Sequence, residues 1–187
     1  MRGKLLLDMQ RTARVFIVPG LGNSGPDHWQ TYFERAHPAF TRIGQREWDA
    51  PDRHEWVATL AQALAGEDLS RVMLVAHSLG CATVAHWAAQ HGHSIRGALL
   101  VAPSDVETAH FAAFSTTGFG PMPLQRLPFP SKVVASSNDE WVTPARAQQF
   151  AAAWGSELID IGAAGHINTA SGHGPWPAGL TLLRDWQ

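Results

Sequence analysis

The chain has 187 residues, a formal net charge of −2 and 45% hydrophobic residues. This length fits one domain with a single buried core, and the charge excludes the basic surface with which nucleic-acid-binding proteins neutralise phosphates. The first ten residues begin basic, but their apolar run stops at Asp8 after three leucines, too short for a signal-peptide core or a membrane span. The single cysteine, Cys81, leaves no intrachain disulfide, so we expect a cytoplasmic protein.

Strand and helix patterns alternate along the chain after a leader at 1–12, and we expect one domain over 1–187. Short apolar runs predict six strands, at 14–18, 41–48, 72–76, 95–102, 132–136 and 157–161. Periodic stretches between them predict helices at 26–35, 51–66, 79–90, 143–154 and 177–186. This alternation predicts a mainly parallel six-stranded sheet with helices on both faces. The longest irregular stretch, 110–130, is expected to form a pocket wall or a small lid.

A nucleophile-elbow pattern lies between the most apolar strand and the helical stretch after it. The five residues from Ala76 to Gly80 read small-x-Ser-x-Gly, with Ala in place of the usual first Gly. We expect the first and last of them to crowd each other, which requires both to be small. Ser78 is the predicted nucleophile, and the backbone N–H of Leu79 is a predicted oxyanion donor. The alternative is that Ser78 only caps the helix.

A serine nucleophile needs a base that a third group orients, and after a nucleophile elbow the acid precedes the histidine in the chain. His166 follows the sixth predicted strand in a glycine-rich loop and is the predicted base, with His173 as the alternative. Asp139 follows the fifth predicted strand and is the predicted acid. Glu140 and Asp105 remain alternatives for the acid.

The loop after the first strand matches a second, conflicting motif. Gly20, Gly22 and Gly25 form G-x-G-x-x-G, and Glu47 or Asp49 stands where a ribose-binding acid belongs, so a dinucleotide-binding protein is an alternative. Asp27 at the start of the following helix would oppose a bound pyrophosphate. We therefore expect this loop to supply the second oxyanion N–H, from Leu21.

Four residues near these motifs are predicted to line a substrate pocket: Asn23, His28, Trp29 and Trp141. We expect Trp48 and Trp56 to pack in the core. A hydrolytic serine needs no metal or cofactor, and none is predicted.

The chain resembles the retinoblastoma-binding-protein-nine and YdeN-like family of small serine hydrolases. The resemblance covers nearly the whole chain after its first dozen residues and is carried by 19–29, 45–49 with Pro51, 77–80, 137–139 and 165–168. It implies a compact α/β-hydrolase fold without a large cap domain, and it places the catalytic triad on Ser78, Asp139 and His166. Ala76 departs from the stricter elbow of the family.

We therefore expect a serine hydrolase that cleaves small ester or amide substrates through an acyl-enzyme. Its partner is a small acyl substrate, with no nucleic acid and no membrane involved, and whether it has partner proteins is left open by the sequence. The alternative from another class is a binding module that keeps the fold without turnover.

Overall fold

The computed structural model describes residues 13–186, so the predicted leader at 1–12 lies outside the described residues. Six strands form one sheet: β1 (Arg14–Val18), β2 (Phe40–Arg42), β3 (Val72–His77), β4 (Gly97–Val101), β5 (Ser131–Ala135) and β6 (Glu157–Asp160). Their order is β2-β1-β3-β4-β5-β6, and every neighbouring pair is parallel. The prediction of a six-stranded, mainly parallel sheet is confirmed.

The helices cover both faces of the sheet, also as predicted. They are α1 (Trp29–Ala36), α2 (Arg53–Leu64), α3 (Leu79–His91), α4 (Pro144–Trp154) and α5 (Pro177–Thr181). Because side chains alternate along a strand, Leu74 packs with α2, α3 and α4, whereas Met73 packs on the opposite face with α1 and α5. Among the helices of residues 13–186, none has the length and hydropathy needed to cross a bilayer.

The predicted second strand at 41–48 is too long. Only three residues pair in β2, and the last bond beside it runs from the N–H of Ile43 to the carbonyl of Ile17. Beyond it the chain leaves the sheet because the carbonyl of Trp48 accepts a hydrogen bond from Gly22 N–H, 2.9 Å away. The Trp48 ring also packs edge-on against Trp56, so this segment braces the loop after β1.

Two predicted helix boundaries are also wrong. The helix predicted at 26–35 begins at Trp29, because 25–28 form a turn and His28 is the N-cap. The helix predicted at 177–186 ends at Thr181 and is followed by a separate 3₁₀ turn. The carbonyl of Leu182 lies at this break and accepts a hydrogen bond from the Lys132 side chain. The interruption of the helix therefore does not leave this carbonyl unpaired.

The irregular stretch at 110–130 is packed against the body of the protein. It buries five large apolar residues against the face that carries α2, α3 and α4: Phe111, Phe119, Met122, Leu127 and Phe129. Part of it forms a wall of the pocket described below, which agrees with the first of the two expectations for it.

Candidate active site

Ser78 occupies a sharp turn at the carboxyl end of β3. Its backbone has φ 56° and ψ −125°, and α3 begins at the next residue. The structure gives a reason for Gly80: a Cβ there would lie 2.3 Å from the carbonyl oxygen of Val18 and 2.7 Å from that of Pro19. The nearest neighbours of Gly80 are therefore at the end of β1, and this contact alone requires a residue without a side chain.

Three predicted residues form a hydrogen-bonded series at this edge of the sheet. The Nε2 atom of His166 lies 2.9 Å from Oγ of Ser78. Its Nδ1 atom lies 3.0 and 2.9 Å from the two carboxylate oxygens of Asp139. Asp139 and His166 are buried, and the Ser78 side chain makes no helix-capping hydrogen bond. Capping alone therefore does not account for Ser78.

The alternative acids and base point elsewhere. Asp105 forms an ion pair with Arg146 at 3.2 Å, and Glu140 is exposed next to the buried Asp139. The ring of His173 lies 3.2 Å from the hydroxyl of Ser171. The structure thus brings together His166 and Asp139 with Ser78 and leaves each alternative engaged away from it or in solvent.

The loops that carry the acid and the base are joined by direct hydrogen bonds. Asn138 Oδ1 accepts from Gly165 N–H at 2.7 Å, and the Ser136 hydroxyl oxygen accepts from Ala164 N–H at 2.9 Å. Asp139 itself accepts from the backbone N–H of Trp141. These bonds fix the two loops relative to each other, so the carboxylate and the imidazole meet in a defined geometry.

Two buried side chains form hydrogen bonds with the backbone at and next to His166. His77 Nε2 lies 2.9 Å from the carbonyl oxygen of His166, and Trp29 Nε1 donates to the carbonyl of Ile167 at 2.8 Å. Burial lowers the pKa of His77 well below its ordinary value, so its ring is neutral, and contact with a carbonyl places its proton on Nε2. The bonds support a strained backbone, since Ile167 has φ 48°.

The predicted oxyanion donors lie where the β1 loop meets the elbow. A Cβ on Gly20 would be 2.8 Å from Ser78 Cβ and 3.2 Å from the backbone nitrogen of Leu79. Within residues 13–186, the N–H groups of Leu21 and Leu79 donate to no acceptor. The close approach of Gly20 is thus to Ser78 and the backbone on either side of it, which accounts for this glycine without a pyrophosphate.

A pocket of about 220 Å³ opens beside Ser78. It is lined by Leu21, His28, His77, Ser78, Ser104, Phe111, Phe114, Trp141, His166 and Asn168. His28 and Trp141 are therefore placed in the pocket wall. Trp29 and Asn23 are not: Trp29 is fully buried beneath the base loop, and Asn23 Oδ1 accepts from Arg42 and from Ser24 N–H. These two expectations are corrected.

His28 is a neutral wall residue with a fixed proton position. Burial, followed by the charges of Arg42, His166 and His173, lowers its pKa to about 4. Its Nδ1 accepts from the N–H of Gln30 at 3.2 Å, which places the proton on Nε2.

Sequence reasoning missed His77, Ser104 and Asn168 as pocket residues, and it indicated Phe111 and Phe114 only through the segment 110–130. Ser104 follows β4 at the same edge of the sheet as the other loops, but its neighbour Asp105 gave the pair the pattern of a helix cap. No helix begins there: 106–110 form turns, in which Asp105 Oδ1 accepts from Glu107 N–H. Within the described residues, no group of three or more His, Cys, Asp or Glu is placed to hold a metal ion.

Comparisons with known proteins agree with this architecture. The profile of the serine hydrolase family matches residues 15–185. A protein of Pectobacterium atrosepticum SCRI1043 described as a YdeN-like hydrolase is 35% identical, with 100% of this chain and 97% of that chain covered and a TM-score of 0.84. No curated protein matches significantly.

Two more distant structures show the same fold. The ydeN gene product of B. subtilis is 19% identical, with 94% and 98% of the two chains covered and a TM-score of 0.80. An α/β-hydrolase enzyme from the sediment metagenome of the Mar Chica lagoon is 12% identical, with 94% and 90% covered and a TM-score of 0.66. The fold is accordingly that of a compact α/β-hydrolase, with no large cap domain over the described residues.

Proposed function

Because the chain belongs to the serine hydrolase family, we propose that it hydrolyses small ester or amide substrates through an acyl-enzyme on Ser78. The observation that carries the proposal is the series Asp139–His166–Ser78, with heavy-atom distances of 2.9 to 3.0 Å at a strand-to-helix turn. An elbow serine, a neutral acceptor nitrogen and a buried carboxylate are the three parts that serine nucleophiles require.

In the proposed reaction, Ser78 Oγ attacks the substrate carbonyl carbon while His166 Nε2 takes the hydroxyl proton. Asp139 holds the imidazole and stabilises its positive charge. The carbonyl π electrons move to the oxygen, where the N–H groups of Leu21 and Leu79 are the proposed donors. Collapse breaks the bond to the leaving group, which takes the proton from His166. Water then attacks the acyl-enzyme in the same way, releasing the acid and restoring the serine.

The size of the pocket favours small acyl groups. Its volume of about 220 Å³ is below the range of about 300–1,000 Å³ that drug-sized ligands occupy. The apolar rings of Phe111, Phe114 and Trp141, which contact one another in series, line it and favour an uncharged acyl chain. We also propose that the substrate is a free small molecule, that no cofactor takes part and that the protein works in the cytoplasm.

The test is a panel of p-nitrophenyl acetate, butyrate and octanoate together with alanine p-nitroanilide. We expect the wild type to turn over the short esters faster than the octanoate. Ser78→Ala and Asp139→Asn should each lower kcat/KM by about 10³-fold or more, the second because the uncharged amide no longer holds the productive tautomer. A folded wild type that hydrolyses none of the four compounds would favour the non-catalytic binding module instead.

A further inference from the structure

The nucleophile has a second hydrogen-bond partner that the triad does not include. Oγ of Ser104 lies 2.9 Å from Oγ of Ser78, the same separation as that between Ser78 Oγ and His166 Nε2. Ser104 is 1% exposed and belongs to the pocket wall. It follows β4, the strand that pairs with β3 and thereby sets it beside the elbow.

Counting protons fixes the direction of this bond. The Nδ1 atom of His166 faces the carboxylate of Asp139, an acceptor only, so the neutral imidazole carries its proton on Nδ1 and its Nε2 accepts. Ser78 must then donate its one hydroxyl proton to the hydrogen bond with His166 Nε2. The remaining contact therefore runs from Ser104: its O–H donates, and the oxygen of Ser78 accepts.

We propose that Ser104 is a further catalytic residue, which donates a hydrogen bond to the reacting oxygen of Ser78; this rests on the proposed serine hydrolase function. As His166 takes the proton from Ser78, negative charge develops on that oxygen before its bond to the carbonyl carbon is complete. A donor already in place stabilises this charge, since hydrogen bonds to charged groups are stronger than those between neutral groups.

The same contact acts when the acyl-enzyme breaks down. The C–O bond to Ser78 cleaves, its electron pair returns to Oγ, and that oxygen takes a proton from His166. Ser104 again donates to the oxygen that gains charge, while its own O–H bond stays intact and no covalent bond to it forms. Both acylation and deacylation should therefore depend on Ser104.

The test is pre-steady-state hydrolysis of p-nitrophenyl acetate by Ser104→Ala, with the burst rate reporting acylation and the later rate reporting deacylation. We expect both rates to fall by about ten-fold or more, with KM changed much less. The matched control is Ser131→Ala, which removes another buried serine hydroxyl bonded to a serine, Ser156, at 2.7 Å. Ser131 is the first residue of β5 and therefore lies at the amino ends of the strands, away from Ser78. The Ser131→Ala variant should keep the wild-type rates.

The possible outcomes distinguish a failure of the Ser104 proposal from a failure of the serine hydrolase proposal on which it rests. Wild-type rates in a folded Ser104→Ala protein, or an effect confined to KM, would overturn the role of Ser104 while leaving the hydrolase intact. A wild type with no burst and no turnover would instead overturn the hydrolase proposal. Thermal melting checks each variant; if Ser104→Ala does not fold, Ser104→Cys takes its place, with both rates again expected below the wild type because a thiol is a weak donor.

Discussion

The backbone of His166 is held as closely as its ring. Asp139 fixes the imidazole from one side, while His77 and Trp29 bond the consecutive carbonyls of His166 and Ile167. All of these contacts come from buried side chains, and the loop itself carries a left-handed residue at Ile167. In the proposed reaction His166 receives and returns a proton within one turnover, and a fixed position favours both transfers.

Trp29→Phe removes one of these bonds and keeps most of the aromatic volume. We expect kcat to fall by about ten-fold with KM nearly unchanged, because the loop that carries the base loses a donor beneath Ile167. Trp154→Phe is the matched control, since Trp154 donates in the same way to the carbonyl of Pro123 at 2.7 Å, away from the pocket. Equal kcat values for the two variants would contradict this role.

At the residue scale, local pattern predicted the three residues of the proposed triad better than the side chains that support them. Ser78, Asp139 and His166 each follow a strand in the order that an elbow motif requires, so neighbours in sequence pointed to them. Trp29 bonds a carbonyl 138 residues away, and Ser104 contacts Ser78 from the loop after the neighbouring strand. Such partners become visible only when the strand order is known.

Two glycines join separate elements at the elbow. Gly80 lets α3 start against the end of β1, and Gly20 lets the β1 loop pass over Ser78. Ser78 is therefore positioned by β1 as well as by its own strand and helix.

Gly20→Ala should inactivate the protein more than it destabilises it. The new Cβ would lie 2.8 Å from Ser78 Cβ, so the nucleophile or the oxyanion loop must shift. We expect kcat/KM to fall by about 10²-fold, in line with a misplacement of about 1 Å. Gly44→Ala, where a Cβ meets nothing within 4 Å, should behave as the wild type in the same p-nitrophenyl ester assay. Full activity in Gly20→Ala would show that activity does not require the close approach of residue 20 to Ser78.

At the element scale, the sequence predicted the six strands of a mainly parallel sheet, but several of their ends were wrong. Apolar runs such as that of β3 predict a buried strand because both faces are covered. The end of β2 depends on Trp48 bonding Gly22, and the start of α1 depends on His28 capping. These boundaries are set by contacts between distant segments, which local propensity does not contain.

The whole molecule buries uncharged histidines beside its pocket. His28 and His77 are both buried, their rings 4.8 Å apart, and burial is the largest cause of the lowered pKa of each. Composition shows ten histidines but not which of them are buried. The free-energy cost of protonating His28 and His77 was therefore not predictable from the sequence. It links the stability of the fold to pH.

Stability should fall as the pH drops from 6.5 towards 4. The unfolded chain takes up a proton at His28 below pH 6.5, whereas the folded chain resists until about pH 4, so more protons bind on unfolding in this window. For His28 alone the loss is about 3 kcal/mol. Urea unfolding at pH 7 and pH 4 measures it.

His28→Asn provides the comparison, because asparagine still caps α1 but does not ionise. We expect the difference between the unfolding free energies at the two pH values to shrink by about 3 kcal/mol in this variant. His54→Asn is the control, because it replaces an exposed histidine and leaves the His28 ring unchanged. This variant should keep the full wild-type difference between the unfolding free energies at pH 7 and pH 4. An unchanged pH dependence in His28→Asn would mean that His28 does not couple folding to pH.

The most direct test of the central claim is labelling with a fluorophosphonate probe, followed by mass spectrometry of the digested protein. The probe reacts with an activated serine, and the competing nucleophile, Cys81, is buried with a raised thiol pKa. The account predicts a single adduct on Ser78 of the wild type and none on Ser78→Ala or heat-denatured protein. An adduct on another residue, or no adduct on folded wild type, would contradict it.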